Sequence, residues 1–163
     1  MELRRKLDFK ATFVLFYCVC FVLFCYIFIR PAVASEYKID SYLIIPKIDL
    51  SSGVTTLSMQ NGKLDTPDDI IGSYSITSSK TLLIGHSTTV FDNLHNSNIG
   101  DVILYDKNSY IITSKSIMPK NEINMSKILE SSARKTIILM TCAGELYEGG
   151  DASHRLIVSA VLD

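Results

Sequence analysis

Three side chains in this 163-residue sequence could together do covalent chemistry: Cys142, His86 and Arg155. A thiol must lose its proton before it attacks a carbonyl, and a nearby imidazole can accept that proton or stabilise the thiolate. The tetrahedral intermediate that follows bears an oxyanion, which a guanidinium can hold through charge-assisted hydrogen bonds. A nucleophile, an acid/base and an oxyanion clamp suffice for acyl transfer from a peptide. Taken singly, the three say little. A histidine beside an apolar strand is most often structural, and an arginine opening a strand is most often solvated or salt-bridged.

The cysteine count singles Cys142 out. Cys18, Cys20 and Cys25 fall inside an apolar N-terminal run, where thiols serve as small apolar side chains. Cys142 is the one thiol of the remaining sequence. Extracytoplasmic cysteines usually come in pairs, so a solitary one is either a free thiol kept for its chemistry or one half of an intermolecular bond. The competing reading is an inert buried cysteine on a strand.

Each of the three side chains stands at a predicted strand boundary. His86 follows Thr81–Ile84 and Gly85, Cys142 closes the apolar run from Thr136, and Arg155 opens the closing strand that runs to Leu162. A rigid β-scaffold presents chemistry at such ends. Further strands are predicted at Tyr42–Ile45, around Ile48 and Leu50 as a Pro-tolerant edge, and at Gly53–Thr56. Asp101–Tyr105 and Ser109–Lys115 form a predicted hairpin turning at Asp106-Lys107-Asn108. Thr89–Asp92 has capping-box spacing, which predicts a short helix to about His95 with Phe91 and Leu94 on its core side.

Between these elements, Gln60–Ser75 reads as turn and loop, carrying Asn61-Gly62, Pro67-Asp68 and Gly72. Ile117–Lys135 reads as a loop with a helical turn or two around Ser126–Ser132. Ala143–His154 is polar and glycine-bearing. Many short strands with few helices imply a mainly β domain, a compact barrel or sandwich.

The N-terminal region has a different composition. Ala11–Ile29 is nineteen residues without a charge, preceded by Arg4, Arg5, Lys6 and Lys10 against only Glu2 and Asp8. A helix of that length spans roughly 28 Å, close to the ~30 Å hydrocarbon core of a bilayer. Positive flanks stay cytoplasmic, so the expected topology is single-pass, N-terminus inside and the rest extracellular at the cell membrane. The expected organisation is a basic cytoplasmic tail at 1–10, a transmembrane anchor at 11–30, a juxtamembrane linker at 31–40 and a catalytic domain at 41–163. Ala32-Val33-Ala34 offers a competing reading, a cleaved signal peptide with Ser35 as the new N-terminus. The apolar run exceeds the usual signal length and Arg30 interrupts the approach to that site, which favours the anchor. Residues 31–163 hold 11 Lys and Arg against 15 Asp and Glu, a net charge of −4, which is no nucleic-acid footprint.

The ordered pattern resembles the sortase family across nearly the whole domain. Gly85-His86 after a short apolar strand is similar to the step that carries the family's histidine. TIILMTC, Thr136 to Cys142, resembles the TLxTC strand that ends in its cysteine, and Arg155 follows thirteen residues later as the family's arginine does. FDNLHNSNIGDVILY and the opening YLIIPKIDL also look like family segments. The resemblance implies a closed β-barrel of about eight strands with short helices. It implies Cys142 as nucleophile, His86 as general acid/base and Arg155 as oxyanion donor, with Thr141 shaping the site.

It also implies a two-step transpeptidation. An LPxTG-like sorting signal at the C-terminus of a secreted protein is cleaved through a thioacyl-enzyme, and the protein passes to an amine of a peptidoglycan precursor or of another protein. Ile117, Met118, Ile123 and Ile128 are candidate groove residues for the signal, with barrel core as their competing reading. No cofactor is implied, and Glu122, Glu130 and the aspartates show no recognisable metal-ligand spacing. An L,D-transpeptidase would need an SHGC-type motif, which is absent. The alternative of a different class is a non-catalytic, membrane-anchored sortase-like binding module.

Overall fold

The computed structural model describes residues 14, 16, 17, 19–21, 37–62, 64–147 and 151–163. The chain divides into two compact units, Met1–Glu36 and Tyr37–Asp163. In the first, the described residues are helical, and Val14, Phe16, Tyr17, Val19 and Phe21 are all exposed. No helix among the described residues is long and apolar enough to cross a membrane. Most of the anchor expected at 11–30 lies outside the described residues.

The second unit is a closed barrel of eight strands: β1 (Ser41–Ile45), β2 (Leu50–Thr56), β3 (Ile71–Thr77), β4 (Lys80–Ile84), β5 (Val102–Tyr105), β6 (Asn108–Pro119), β7 (Thr136–Leu146) and β8 (Ala152–Leu162). Around the barrel the order is β1-β2-β3-β4-β7-β8-β6-β5. Most pairs are antiparallel, but β2–β3 and β4–β7 run parallel. Closure through the β1–β5 pair decides for the barrel over the sandwich.

Strand alternation assigns the residues to two apolar layers. Leu83, Ile137, Leu139, Leu156 and Val158 point inward with Leu43, Val54, Ile71, Ile103 and Tyr110. Leu82, Ile138 and Ile157 point outward into a second cluster with Ile84, Met140, Met118, Ile123, Ile128, Leu64 and Ile76. The unbroken apolar runs TLLI and TIILM follow from this, since β4 and β7 are covered on both faces.

The expected hairpin forms with the tightest loop. Tyr105 pairs Asn108, and Asp106 and Lys107 both take positive φ, 46° and 64°, the twist-matched geometry of a two-residue turn.

Several boundaries differ from the sequence expectation. β3 occupies the end of the stretch read as loop, because Ile71 and Gly72 pair with Val54 and Thr55 on one side and with β4 on the other. β6 runs on to Pro119, since its pairing with β8 extends to Pro119↔His154. The segment after Cys142 stays extended to Leu146, with β8 already begun at Ala152. Between β6 and β7 a short helix α1 (Met125–Leu129) is capped by the Asn124 side chain, which accepts from the Lys127 N–H at 3.2 Å. The helix expected after Thr89 is instead a series of turns ending in a 3-10 turn at Leu94–Asn96. The core side of that segment is as expected: Phe91 and Leu94 are buried.

Candidate active site

The parallel pairing of β4 with β7 turns two distant sequence positions into neighbours. Their register ends at Ile84↔Met140. Cys142 lies two residues further along β7, and His86 stands two residues past Ile84, where the chain leaves β4. On the other side of β7, Cys142 pairs directly with Arg155 of β8, and Arg155 pairs with Met118 of β6. Cys142, Arg155 and Met118 therefore form one row across β7, β8 and β6, with His86 just past the end of the neighbouring β4.

Alternation also fixes the face. Ile138 and Met140 point outward on β7, and so does Cys142; Ile157 points outward on β8, and so does Arg155. The row thus ends the outer apolar cluster rather than entering the barrel interior. Cys142 is a free thiol, partly exposed.

Thr141, one residue back, points inward and is buried. Its hydroxyl donates to the Gly85 carbonyl at 2.7 Å, while the Gly85 N–H donates to the Met140 carbonyl at 3.4 Å. These bonds tie Gly85, the residue before His86, to β7 at the end of β4. Gly85 has no room for a side chain: a Cβ there would lie 2.5 Å from Val90 Cγ2 and 2.9 Å from Phe91 Cδ2. The chain then turns sharply, with the His86 carbonyl accepting from the Phe91 N–H at 3.0 Å. The His86 ring is left 43% exposed, its Nε2 3.6 Å from the Asp68 carboxylate in open solvent.

Arg155 is well enclosed, its side chain 16% exposed. Nη1 donates to the carbonyls of Ala152 (3.0 Å) and His154 (2.9 Å), and Nη2 donates to Asp151 Oδ1 at 2.8 Å. The other Asp151 oxygen holds Lys120. Lys120, then Arg155, then the Ala152 N–H hold the Asp151 carboxyl well below the usual carboxylate range.

The four candidate groove residues divide. Met118, Ile123 and Ile128 pack together on the outer cluster, beside Cys142 and Arg155. Ile117 pairs with inward-facing Leu156 and is 60% exposed, so it lies on the opposite face of β6 from Met118. His95 is exposed, its Nδ1 2.7 Å from the Asp92 carbonyl oxygen. His154 alternates to the face opposite Arg155, its Nδ1 2.8 Å from Ser153 Oγ.

The sequence reading did not name Ile84, Met140, Leu64, Asp151 or Lys120. For Ile84 and Met140 a signal existed, since a strand apolar on both faces must have an outer covering. Asp151 and Lys120 had none, because they meet across two loops.

A family model described as Sortase domain matches residues 43–163. The chain belongs to the sortase family. Solved sortases share its fold. Sortase C-1 of Actinomyces oris is 24% identical with a TM-score of 0.59, the match covering 79% of this chain and 74% of that one. Sortase A of Listeria monocytogenes is 16% identical with a TM-score of 0.58, covering 77% and 87%. The lid mutant of Streptococcus agalactiae sortase C1 is 18% identical with a TM-score of 0.60, covering 77% and 69%. Among proteins of curated function, none matches this chain. In this sortase the matched region holds His86, Cys142 and Arg155.

Proposed function

We propose that this chain is a cysteine transpeptidase that cleaves an LPxTG-like sorting signal and passes the acyl group to an amine. The observation that carries the proposal is the arrangement of the three: a free thiol on β7, an arginine paired to it on β8, and a histidine just past the end of β4, the strand parallel to β7 on its other side. A non-catalytic binding module has no need of that arrangement.

In the first step the Cys142 thiolate attacks the threonine carbonyl carbon, and the carbonyl oxygen becomes the oxyanion. Arg155 hydrogen-bonds that oxygen. The C–N bond to glycine then breaks, and protonated His86 gives its proton to the departing amine, leaving a thioester on Cys142. In the second step an incoming amine adds to the thioester, His86 takes its proton, and the thiolate leaves as the amide forms. The outer cluster at Met118, Ile123, Ile128, Ile84 and Met140 offers the apolar leucine and proline of the signal a surface ending at the nucleophile. Thr141 serves indirectly, by tying Gly85, and so His86, to β7.

The acceptor is an amine of a peptidoglycan precursor or of another protein, and the substrate is a secreted protein with the signal at its C-terminus. An N-terminal span at 11–30, cytoplasmic tail at 1–10 and extracellular domain fit this chemistry, since the enzyme would then sit where exported substrates and lipid-linked wall precursors meet. The purified full chain, given LPxTG-like peptides and an amine, should yield the ligated product. Product formed equally by Cys142→Ala would defeat the proposal.

A further inference from the structure

The Arg155 guanidinium has five N–H groups, and the structure commits three of them to the β7–β8 connection. Nη1 donates to the carbonyls of Ala152 and His154, and Nη2 donates to Asp151. Among the described residues, the Nε hydrogen and the second Nη2 hydrogen have no acceptor. Nε and Nη2 form one edge of the planar group, the edge that can grip a single oxyanion or a carboxylate in fork geometry. The edge is only as well aimed as the opposite edge is fixed.

Two of the three fixing acceptors are backbone carbonyls of the same short stretch of chain. Asp151 is the one side chain among them, and it is itself pinned. Its Oδ1 also accepts from the Ala152 N–H at 2.9 Å, its carbonyl accepts from the Tyr147 N–H at 2.7 Å, and its Oδ2 is gripped by Lys120 of the β6–α1 connection. Lys120 lies between Met118 and Ile123, both members of the outer apolar cluster.

We propose that Asp151 is a positioning residue for Arg155. It holds one edge of the guanidinium so that the Nε/Nη2 edge meets the oxyanion, and Lys120 links that hold to the wall of the groove. The proposal rests on the transpeptidase reading given above. It predicts that Asp151 contributes to rate only through Arg155.

A double-mutant cycle tests it with the full chain in detergent, using single-turnover acylation by an LPxTG-like peptide. Asp151→Ala should slow acylation by about 10- to 100-fold, the scale expected when a catalytic group is misplaced by an ångström or so. KM and the rate of Cys142 alkylation by iodoacetamide, which needs no oxyanion clamp, should stay at wild-type values. Asp151→Asn, which keeps an acceptor oxygen toward Nη2, should recover most of the loss. On an Arg155→Lys background, Asp151→Ala should add nothing. An equal loss on both backgrounds, or no loss on the wild-type one, overturns the proposal.

A second readout does not depend on turnover. Guanidinium NMR signals of Arg155, assigned by their disappearance in Arg155→Lys, should show Nη2 held in slow rotation in the wild type and averaged in Asp151→Ala. Unchanged signals overturn the positioning role. If the wild type acylates with no peptide while the signals behave as expected, the transpeptidase reading fails and the anchoring of Arg155 by Asp151 stands.

Discussion

The Thr141 hydroxyl donates to the Gly85 carbonyl at 2.7 Å, joining the residue before the thiol to the residue before the histidine across two parallel strands. Thr141 is buried, so this acceptor has no solvent to fall back on. Thr141→Val keeps the shape and removes the donor. It should lower stability by about 1–3 kcal/mol, the cost of a buried polar group left unpaired. Thr141→Ser should restore much of the loss. Denaturant melts check the stabilities, and acylation rates should follow the same order because the bond fixes Gly85, and through it His86, against β7 beside Cys142.

Gly144 takes φ +77°, and a Cβ there would lie 2.5 Å from Ser153 Oγ and 2.8 Å from His154 Nδ1. It sits where the β7–β8 register shifts, between Ala143 and Leu146. Gly144→Ala should therefore cost more than the ~1–2 kcal/mol of a left-handed non-glycine residue alone. Because Arg155 takes its alignment from this connection, acylation should fall with stability. A thermal melt unchanged from wild type would show the connection to be more adaptable than its geometry implies.

The site was legible in the sequence as far as residue type and strand context reach. The lone thiol outside the apolar N-terminal run lies on β7, Arg155 lies on β8, and the Gly85-His86 step directly follows β4. That β4 and β7 pair in parallel, with Ile84 opposite Met140, was not legible, because register across 56 residues depends on how the whole barrel closes. The loop reading of Gln60–Ser75 failed for a related reason. Gly72 and the serines of β3 have weak strand propensity, and pairing on both sides overrides it. In Thr89–Asn96 the chain forms turns ending in a 3-10 turn, yet Phe91 and Leu94 are buried as their i, i+3 spacing implied. Asp151 escaped notice because one of its partners, Lys120, is distant in sequence and the other, Arg155, is reached only once β8 is placed.

Asp151 also gives a pH prediction. Its folded-state pKa is depressed, chiefly by Lys120 and then by Arg155, so its contribution to stability is present above the unfolded value of about 3.9. That contribution is lost as pH falls through the lower folded value. The difference in Tm between wild type and Asp151→Asn should be constant from pH 7 to about pH 5 and narrow only in stronger acid. Exposure to solvent keeps the difference small. A gap that widened on acidification would contradict the assigned pairing.

The proposed anchor predicts that the full chain stays with membranes through an alkaline carbonate wash, while residues 37–163 are open to external protease. A mature chain beginning at Ser35, read by N-terminal sequencing, would instead establish cleavage after Ala34.

Mass spectrometry of the intact chain, quenched during reaction with an LPxTG-like peptide, tests the central claim most directly. The account predicts a covalent adduct with the mass of the peptide up to its threonine, mapped to Cys142, discharged by hydroxylamine or an amine acceptor, and absent from Cys142→Ala. An adduct at another residue would contradict it. So would peptide cleavage that leaves Cys142 unmodified at every time point while Cys142→Ala turns over at the wild-type rate.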